Sequence, residues 1–363
     1  MFPVIKEVLT KITNADFEAY IVGGYVRDYL MNMNSIDVDI CTNAKPKDIF
    51  DIFKEYAVLG DEYGCVTIKY KKITFQITTY RKDIKYNEHR KPVKIAYVDS
   101  LSKDIERRDI TINSLCMDSE GNIIDLLGGK ADVDNKIIKV IGNPFQKLKE
   151  DPLRIMRVIR FATRLNFTLD KNTEKAIYKS AKFVKKLSYE RKMEELIKIL
   201  TSSNIKYGIE LLVKYKLDKY LEISGIKDIK ITNDIIGILS QLNIENIYPM
   251  SKNQKYQIKA IKMIKNTDIL DNYNLYKNGP YLSGVAALIS GLNHSEVNLK
   301  YDNLPIKTPS DINIKSEEIC LLLNKKPDAW LKDIIVTLEK AIIYGELNNN
   351  YEEIKKFLLN MEG

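Results

Sequence analysis

Residues 21–42 read IVGGYVRDYLMNMNSIDVDICT and are the stretch around which the rest of the chain is organised. An apolar run leads into the Gly23–Gly24 turn, and a short amphipathic segment leads on to Asp37 and Asp39. Side chains two residues apart project from the same face of a strand, so the two carboxylates would point to one place. The order strand, glycine turn, helix, strand therefore places a glycine-rich backbone beside a carboxylate pair.

This combination predicts a site for a metal-bound nucleoside triphosphate. Two adjacent carboxylates repel each other unless a cation lies between them. Oxygen ligands shared with substrate phosphates suit Mg²⁺, and backbone N–H groups at a glycine turn can approach those phosphates. Each motif alone has a plainer explanation, because Gly-Gly is usually only a turn and Asp-x-Asp is usually a solvated strand end. Their tandem arrangement favours the nucleotide site.

The composition excludes several classes of protein. The chain has 363 residues, enough for two or more domains, and 45% of them are hydrophobic. No apolar run reaches the 18 or so residues of a membrane span, and the amino terminus has no apolar signal-peptide core, so we expect a cytoplasmic protein with no membrane contact. The four cysteines are scattered, which argues against a zinc ribbon or a disulfide framework. The net charge of +8 is compatible with a polyanionic partner but does not establish one.

The order of the predicted elements indicates an α+β protein. Alternating and β-branched runs, including FEAYIVGG, DVDICT, CVTIKY and ITFQITTY, predict strands mixed with short helices up to about residue 145. Residues 81–93 are polar and aperiodic, so we expect a mobile loop or a surface excursion there. From about residue 146 onwards helical spacing dominates, beginning with EDPLRIMRVIRFATRLNF, where Asp151 is the expected N-cap and Pro152 the expected first helical residue.

Two further clusters carry groups suited to nucleotide binding. Arg107, Arg108 and Asp109 are followed by Thr111 and Asn113, and together these side chains could hold a triphosphate and a ribose hydroxyl. The alternative is a solvated charge cluster at a helix end, which the spacing alone favours.

The second cluster begins at Asp151 and Arg154 and continues to Arg157 and Arg160. A carboxylate accepts hydrogen bonds and a guanidinium donates them, which matches the amino group and ring nitrogen of cytosine or adenine. Uracil and guanine present the reverse pattern, and each mismatch would leave a polar group unpaired at about 1–3 kcal/mol. An N-capping role alone would also explain why an aspartate stands at position 151. Arg160 lies about 180° around the helix from Asp151 and could instead meet phosphate, tRNA or another domain.

With these motifs in view, the sequence resembles the class II tRNA nucleotidyltransferases, the bacterial and eukaryotic CCA-adding enzymes of the DNA polymerase β superfamily. The resemblance is carried by GGYVRD followed by DVD, by RRDITINSL, by EDPLRIMR and by SYERKMEEL, in this order. It covers the first 200 or so residues closely and continues weakly in LPIKTPSDI and KKPDAW. It implies a nucleotidyltransferase head with a mixed β-sheet (1–145), then an all-helical neck (146–208), body (209–290) and tail (291–363).

The resemblance also implies roles for the matching residues. Asp37 and Asp39 would bind catalytic Mg²⁺, and Gly23, Gly24 and Arg27 would shape the triphosphate site. The remaining assignments are triphosphate and ribose binding by Arg108, Asp109 and Asn113, base reading by Asp151 and Arg154, and completion of the nucleotide pocket by Arg157 and Arg160. Glu190, Arg191 and Glu194 would brace the base-reading helix. The implied substrates are CTP, ATP and the acceptor and TΨC arms of tRNA.

Two features of the sequence bear on the metal site and on which activity is present. Gln76 stands where many relatives carry a third carboxylate, so the metal site should rest on two. The segment 81–92 has the length of the loop that enzymes adding only CC lack, which favours full CCA addition. A-adding and CC-adding enzymes and poly(A) polymerase remain alternatives within the family, and a catalytically silent RNA-binding protein is an alternative from another class.

Overall fold

The computed structural model describes residues 1–35, 37–62, 64–86 and 92–361. The chain forms two compact units, residues 1–223 and 224–363. The first is an α+β unit and the second is helical, so the predicted fold class is confirmed. In the described part of the chain, no helix combines the length and the apolar character needed to cross a membrane. The finer division into head, neck, body and tail stays a prediction.

The strands lie in the first unit. They are β1 (Ala19–Val22), β2 (Val38–Thr42), β3 (Ala57–Glu62), β4 (Cys65–Tyr70), β5 (Ile73–Thr79), β6 (Arg81–Tyr86), β7 (Pro92–Tyr97), β8 (Cys116–Met117), β9 (Ile123–Ile124), β10 (Ile137–Ile138) and β11 (Thr168–Leu169).

The helices of the first unit are α1 (Phe2–Thr13), α2 (Gly24–Leu30), α3 (Pro46–Ile52), α4 (Leu101–Glu106), α5 (Gly129–Asp134), α6 (Pro144–Glu150), α7 (Leu153–Leu165), α8 (Lys171–Ser180), α9 (Tyr189–Leu200), α10 (Ile205–Lys214) and α11 (Leu217–Leu221). Those of the second are α12 (Ile235–Leu239), α13 (Lys252–Ile264), α14 (Asn272–Ser290), α15 (His294–Asp302), α16 (Ser316–Leu322), α17 (Ala329–Ile343) and α18 (Tyr351–Asn360). Short 3₁₀ turns occur at Thr111–Asn113, Ala181–Lys186, Ile226–Asp228 and Pro309–Asp311.

A mixed seven-stranded sheet forms the frame of the first unit, in the order β3-β4-β5-β2-β1-β8-β9. Only the central pair β2 and β5 runs parallel, whereas the other neighbours are antiparallel. Alternation along β2 buries Val38 and Ile40 and leaves Asp39 on the open face. Because successive strand residues alternate between faces, burying the apolar residues forces the carboxylate outwards.

Helix α7 packs through one apolar side against α9 and α10, with further contacts to α6 and β10. Ile155, Met156, Val158, Ile159 and Ala162 are all fully buried. Burying each large aliphatic side chain contributes about 1.5–3 kcal/mol, so the orientation of α7 is fixed by its core residues. The arginines that alternate with them are therefore held at defined positions around the helix.

Several boundaries differ from the sequence-based expectation. Strand β3 was not predicted. The segment 81–93 was predicted as a loop, but β6 and β7 pair as an antiparallel hairpin with two register shifts, and residues 87–91 of that predicted loop lie outside the described residues. Pairs between the two strands stabilise this polar hairpin. Its sequence therefore lacks the alternation of apolar and polar residues from which strands are predicted.

The predicted start of α7 was also wrong by one residue. Pro152 precedes the helix, which begins at Leu153, and Asp151 has extended backbone angles (φ −136°, ψ 91°). A residue before proline is biased away from the helical region, which explains the break between α6 and α7. The carboxylate of Asp151 nevertheless accepts a hydrogen bond from the backbone N–H of Leu153 at 3.1 Å, as a capping residue does.

Candidate active site

A cleft of about 970 Å³ in the first unit brings together all twelve site residues predicted from the sequence. It is rich in arginine and opens to solvent between the exposed face of β2, the turn into α2 and one side of α7. Its lining residues are Gly23, Gly24, Arg27, Asp28, Ser35, Asp37, Asp39, Arg81, Arg107, Arg108, Asp109, Asn113, Asp151, Leu153, Arg154, Arg157, Arg160, Phe161, Arg164, Lys198, Thr201, Ser202 and Ser203.

The two carboxylates lie at the start of β2. Asp37 directly precedes the strand, Asp39 is its second residue, and both are exposed to the cleft. Loss of surrounding water raises the pKa of the Asp39 carboxyl above its usual 3.8; Arg108 opposes this rise and Asp37 adds to it. A cation bound between the two carboxylates would relieve that repulsion.

Gln76 lies beside Asp39 on the adjacent strand β5. The two residues are Cα partners across the parallel pair β2 and β5, and Gln76 is exposed on the same side of the sheet. Among the residues that the structure describes, no three His, Cys, Asp or Glu side chains gather at a point where they could hold a metal. The donor set at β2 is therefore a two-carboxylate set, which fits a divalent ion that completes its coordination with phosphate oxygens and water.

Gly23 forms the turn between β1 and α2 and lies beside these carboxylates. Its φ of +81° and ψ of −133° belong to a region that only glycine occupies readily, and its N–H donates to the carbonyl of Leu115 at 3.2 Å. A Cβ at this position would lie 3.7 Å from Asp39 Oδ2 and 3.9 Å from Arg108 Nη1. The turn therefore leaves room beside Asp39 for a ligand.

Arg27 is buried in the wall of the cleft with 1% of its surface exposed. Its Nε and Nη2 donate to Asp28 Oδ1 at 2.9 and 2.6 Å, and its Nη1 donates to Asn113 Oδ1 at 2.5 Å. Burial lowers the pKa of Arg27, although the carboxylate of Asp28 opposes this. Two predicted site residues from distant motifs, Arg27 and Asn113, are thus joined directly.

Asp104 organises the arginine pair at the end of α4, and the sequence analysis did not identify it. Its fully buried carboxylate accepts from Arg107 Nε at 2.7 Å and from Arg108 Nη2 at 3.0 Å. It also accepts from the backbone N–H of Arg81, the first residue of β6, at 3.3 Å. Burial acts to raise the pKa of the Asp104 carboxyl, but the two arginines outweigh it and the net direction is downward. The i+3 and i+4 spacing of the arginines was the available signal.

Asp109 is paired with Arg157 of α7. Asp109 Oδ2 accepts from Arg157 Nε at 2.7 Å and Oδ1 accepts from the N–H of Ile110 at 2.9 Å. Burial alone would raise the pKa of Asp109, but Arg157 and the backbone bond bring it below its usual value. Asp109, the predicted ribose-binding carboxylate, therefore links the second motif to helix α7.

Asp151 and Arg154 lie side by side at the start of α7. Arg154 Nε is 3.9 Å from Asp151 Oδ2, whereas Asp151 Oδ1 caps the helix through Leu153. Capping therefore uses Oδ1 of this carboxylate, whereas Oδ2 is the oxygen near Arg154. Arg154 Nη2 also lies 3.5 Å from the carbonyl of Arg107, which connects α7 to the end of α4.

Arg160 lines the same cleft and does not point away from the site. Its Nη1 donates to Glu195 Oε1 at 3.1 Å, and its guanidinium lies 4.4 Å from the centre of the Phe161 ring. The residue of α9 that braces α7 is therefore the buried Glu195, whereas the predicted Glu190 and Glu194 are exposed. The sequence offers two adjacent glutamates, and only packing decides which of them faces inwards.

Comparison with known proteins identifies the family. The family model described as the poly A polymerase head domain matches residues 19–139. The model described as the probable RNA and SrmB-binding site of polymerase A matches 166–224, and tRNA nucleotidyltransferase domain 2 matches 247–358. The CCA-adding enzyme of Ligilactobacillus salivarius is 34% identical over 95% of this chain and 93% of its own length. This chain belongs to the CCA-adding enzyme family.

Other CCA-adding enzymes match over nearly the same length. That of Bacillus subtilis is 30% identical over 97% of this chain and 96% of its own. The crystal structure of the Bacillus stearothermophilus CCA-adding enzyme in complex with CTP has a TM-score of 0.83 at 25% identity, covering 99% of this chain and 97% of that one. The Thermotoga maritima CCA-adding enzyme complexed with tRNA shares the fold, with a TM-score of 0.71 at 18% identity over 99% of this chain and 95% of that one. The protein is therefore a nucleotidyltransferase, a class of enzyme that generally uses a divalent metal.

Proposed function

We propose that this protein adds C, C and A to the 3′ end of tRNA without a nucleic acid template, using CTP and ATP and releasing pyrophosphate. The observation that carries the proposal is the cleft itself, which Asp37 and Asp39 line together with Asp151 and Arg154. One pair supplies the chemistry of nucleotidyl transfer and the other supplies a choice of base. The relatives named as CCA-adding enzymes support the same activity.

Asp37 and Asp39 are the proposed metal ligands, and Mg²⁺ is the proposed ion. Small, hard Mg²⁺ favours carboxylate and phosphate oxygens, and Gln76 adds no third negative charge. When bound, the ion would supply charge stabilisation for the transferred phosphoryl group. The 3′-hydroxyl of tRNA attacks the α-phosphorus, a new phosphodiester bond forms, and the bond to pyrophosphate breaks.

The arginine-rich wall is the proposed binding surface for the triphosphate and ribose. Arg108 lies beside Gly23 and Asp39, where a triphosphate held by the metal ligands would extend. Arg27 is held by Asn113, and Arg157 is held by Asp109, so both guanidinium groups are oriented before a nucleotide arrives. Preorganised charge of this kind needs no rearrangement during the reaction.

Asp151 and Arg154 are the proposed protein template. Asp151 Oδ2 would accept from the amino group of cytosine or adenine, and Arg154 would donate to the ring nitrogen beside it. Uracil and guanine place a carbonyl opposite the carboxylate and an N–H opposite the guanidinium. Each mismatch would cost about 1–3 kcal/mol per unpaired group, which is enough to select the two nucleotides.

The activity is tested with a tRNA transcript that lacks its CCA end. CTP alone should add two residues, and ATP should then add one. A long A tract formed without CTP would identify a poly(A) polymerase, two C residues with no following A would identify a CC-adding enzyme, and addition only to tRNA that already ends in CC would identify an A-adding enzyme. Unchanged incorporation by Asp37→Ala would contradict the metal-site assignment, and no incorporation by the wild type would favour a silent RNA-binding protein.

Base selection is tested with Asp151→Asn. The amide keeps an oxygen to cap Leu153 but replaces the second acceptor with a donor, so incorporation of UTP and GTP relative to CTP and ATP should rise. Asp170→Asn is the matched control, because Asp170 caps α8 through Asn172 and Thr173 and lies outside the cleft. Equal selectivity in the two variants would leave Asp151 with a capping role only.

The hairpin formed by β6 and β7 supports full CCA addition over CC addition. It begins at Arg81, whose backbone N–H donates to Asp104 beside the arginine pair, so its base contacts the nucleotide site. A deletion of residues 84–95 should preserve C addition and abolish A addition. Loss of both steps would mean that the hairpin has a general structural role.

The acceptor and TΨC arms of tRNA are the proposed partners of the helical regions. The cytoplasmic location stays a prediction.

A further inference from the structure

Helix α13 of the second unit carries a lysine-rich surface. Residues 246–267 contain five lysines and no aspartate or glutamate. Ile258, Ile261 and Ile264 are buried, which fixes the helix with its opposite side outwards. That outer side carries what we call the lysine stripe: Lys252, Lys255, Tyr256, Lys259 and Met263.

The members of the lysine stripe share one side of the helix. At 100° per residue they fall within about 100° of arc, and from Lys252 to Lys259 the stripe extends about 10 Å. Tyr256 is 62% exposed and Met263 is 70% exposed, so both side chains are accessible to a partner. A cationic surface interleaved with an exposed aromatic ring is typical of nucleic-acid contacts.

The charge of the lysine stripe is a cost for the isolated protein. Like charges three or four residues apart on a helix destabilise it by about 0.2–0.5 kcal/mol per pair. Helix α18 of the same unit avoids this by placing Glu352 and Glu353 before Lys355 and Lys356. In α13, Lys262 is bound to Glu245 at 2.6 Å and anchors the helix, but Lys262 lies outside the stripe. A polyanionic partner would relieve the repulsion.

We propose that the lysine stripe of α13 binds the phosphate backbone of the duplex arms of tRNA. This inference rests on the proposed function for the identity of the RNA and names the side chains that hold it. Duplex RNA is recognised mainly by shape and phosphate, and flexible lysines without a fixed geometry suit such contacts. An anionic membrane is the less favoured partner, since the three isoleucines of α13 are buried in the unit and cannot insert into lipid.

The test compares Lys252→Ala/Lys259→Ala with Lys227→Ala/Lys356→Ala. Both double variants remove two exposed lysines of the second unit, so they change net charge equally. Binding of a tRNA transcript is measured over a range of salt concentrations. The slope of log affinity against log salt should become shallower by about two for the stripe variant, since each phosphate contact contributes about one, and should stay at the wild-type value for the control. Equal slopes in the two variants would overturn the proposal.

Two further measurements separate the possible failures. The stripe variant should add C and A at the wild-type rate when tRNA is saturating, since its residues are not part of the cleft. If the wild type adds no nucleotide, the proposed function fails. The salt dependence of tRNA binding still tests the lysine stripe independently of that result. Binding of both variants to phosphatidylglycerol vesicles tests the membrane alternative. Vesicle binding lost in the stripe variant, with tRNA binding unchanged, would overturn the proposal in favour of a lipid surface.

Discussion

The fully buried carboxylate of Asp104 accepts a hydrogen bond from Arg108 Nη2 at 3.0 Å. The same carboxylate binds Arg107 and the first backbone N–H of the β6–β7 hairpin. A single buried anion therefore fixes both arginines and the base of the hairpin. Positions of this kind are sensitive to substitution because the cationic partners stay buried when the anion is removed.

Asp104→Ala should destabilise the protein by about 3–5 kcal/mol, because it leaves Arg107 and Arg108 without their shared counter-charge. The measurement is the free energy of urea unfolding. Asp99→Ala is the control, since Asp99 is an exposed carboxylate of the same segment and its loss should cost no more than about 0.5 kcal/mol. Similar losses in the two variants would mean that Asp104 contributes little to stability.

The Asp109–Arg157 ion pair should make stability depend on pH. The pKa of Asp109 is lowered in the folded protein from its usual 3.8, so its stabilising contribution is present above that value and is lost as the pH falls through the folded pKa. Asp109→Asn should be less stable at pH 6, and the difference from the wild type should shrink below pH 4. Urea unfolding at several pH values measures it. A difference that is constant with pH would exclude this linkage.

Gly23→Ala should impair nucleotide binding. Its positive φ strains any L-residue by about 1–3 kcal/mol, and the added methyl group would lie 3.7 Å from Asp39 Oδ2. The KM for CTP should rise. Gly279→Ala is the control, because Gly279 also has a glycine-favouring backbone (φ 74°, ψ 168°), but its Cβ would meet nothing within 4 Å. A rise in KM of the same size in both variants would attribute the effect to strain alone.

Glu195→Ala should weaken binding of both nucleotides without changing their selection. Arg160 would lose its charged partner on α9 while it still packs on Phe161, so α7 would be less rigidly held. The KM for CTP and the KM for ATP should rise by similar factors. Glu194→Ala is the matched control, since Glu194 is the exposed neighbour. A change in the ratio of UTP to CTP incorporation would instead give Glu195 a direct part in base reading.

Gln76→Glu should strengthen metal binding. The new carboxylate would be in register with Asp39 on the adjacent strand, and a third anionic ligand raises the affinity for a divalent ion. The Mg²⁺ concentration that gives half-maximal activity should fall. Thr74→Glu adds the same charge two residues away on the same exposed side of β5 and should leave that concentration unchanged. A higher requirement for Mg²⁺ in Gln76→Glu would show that repulsion dominates.

The sequence was sufficient to predict the features that depend on local spacing. The alternation around Asp37 and Asp39, the glycine turn and the helical period after residue 146 correctly predicted the strand, turn and helix pattern. The i, i+3 spacing of Asp151 and Arg154 predicted that they lie side by side, and they do. Each of these relationships joins residues a few positions apart, where backbone geometry alone sets which side chains share a face.

Only the tertiary structure decided the contacts between distant motifs. Asn113 holds Arg27 across 86 positions of the chain, and Arg157 holds Asp109 across 48. The choice of Glu195 over Glu194, and the pairing of β6 with β7 in a polar segment, follow from packing and cross-strand bonds. Spacing along the sequence does not indicate which distant side chain forms a hydrogen bond with a given buried polar group. The sequence thus determined the chemical groups of this site, and the fold determined which of them hold one another in place.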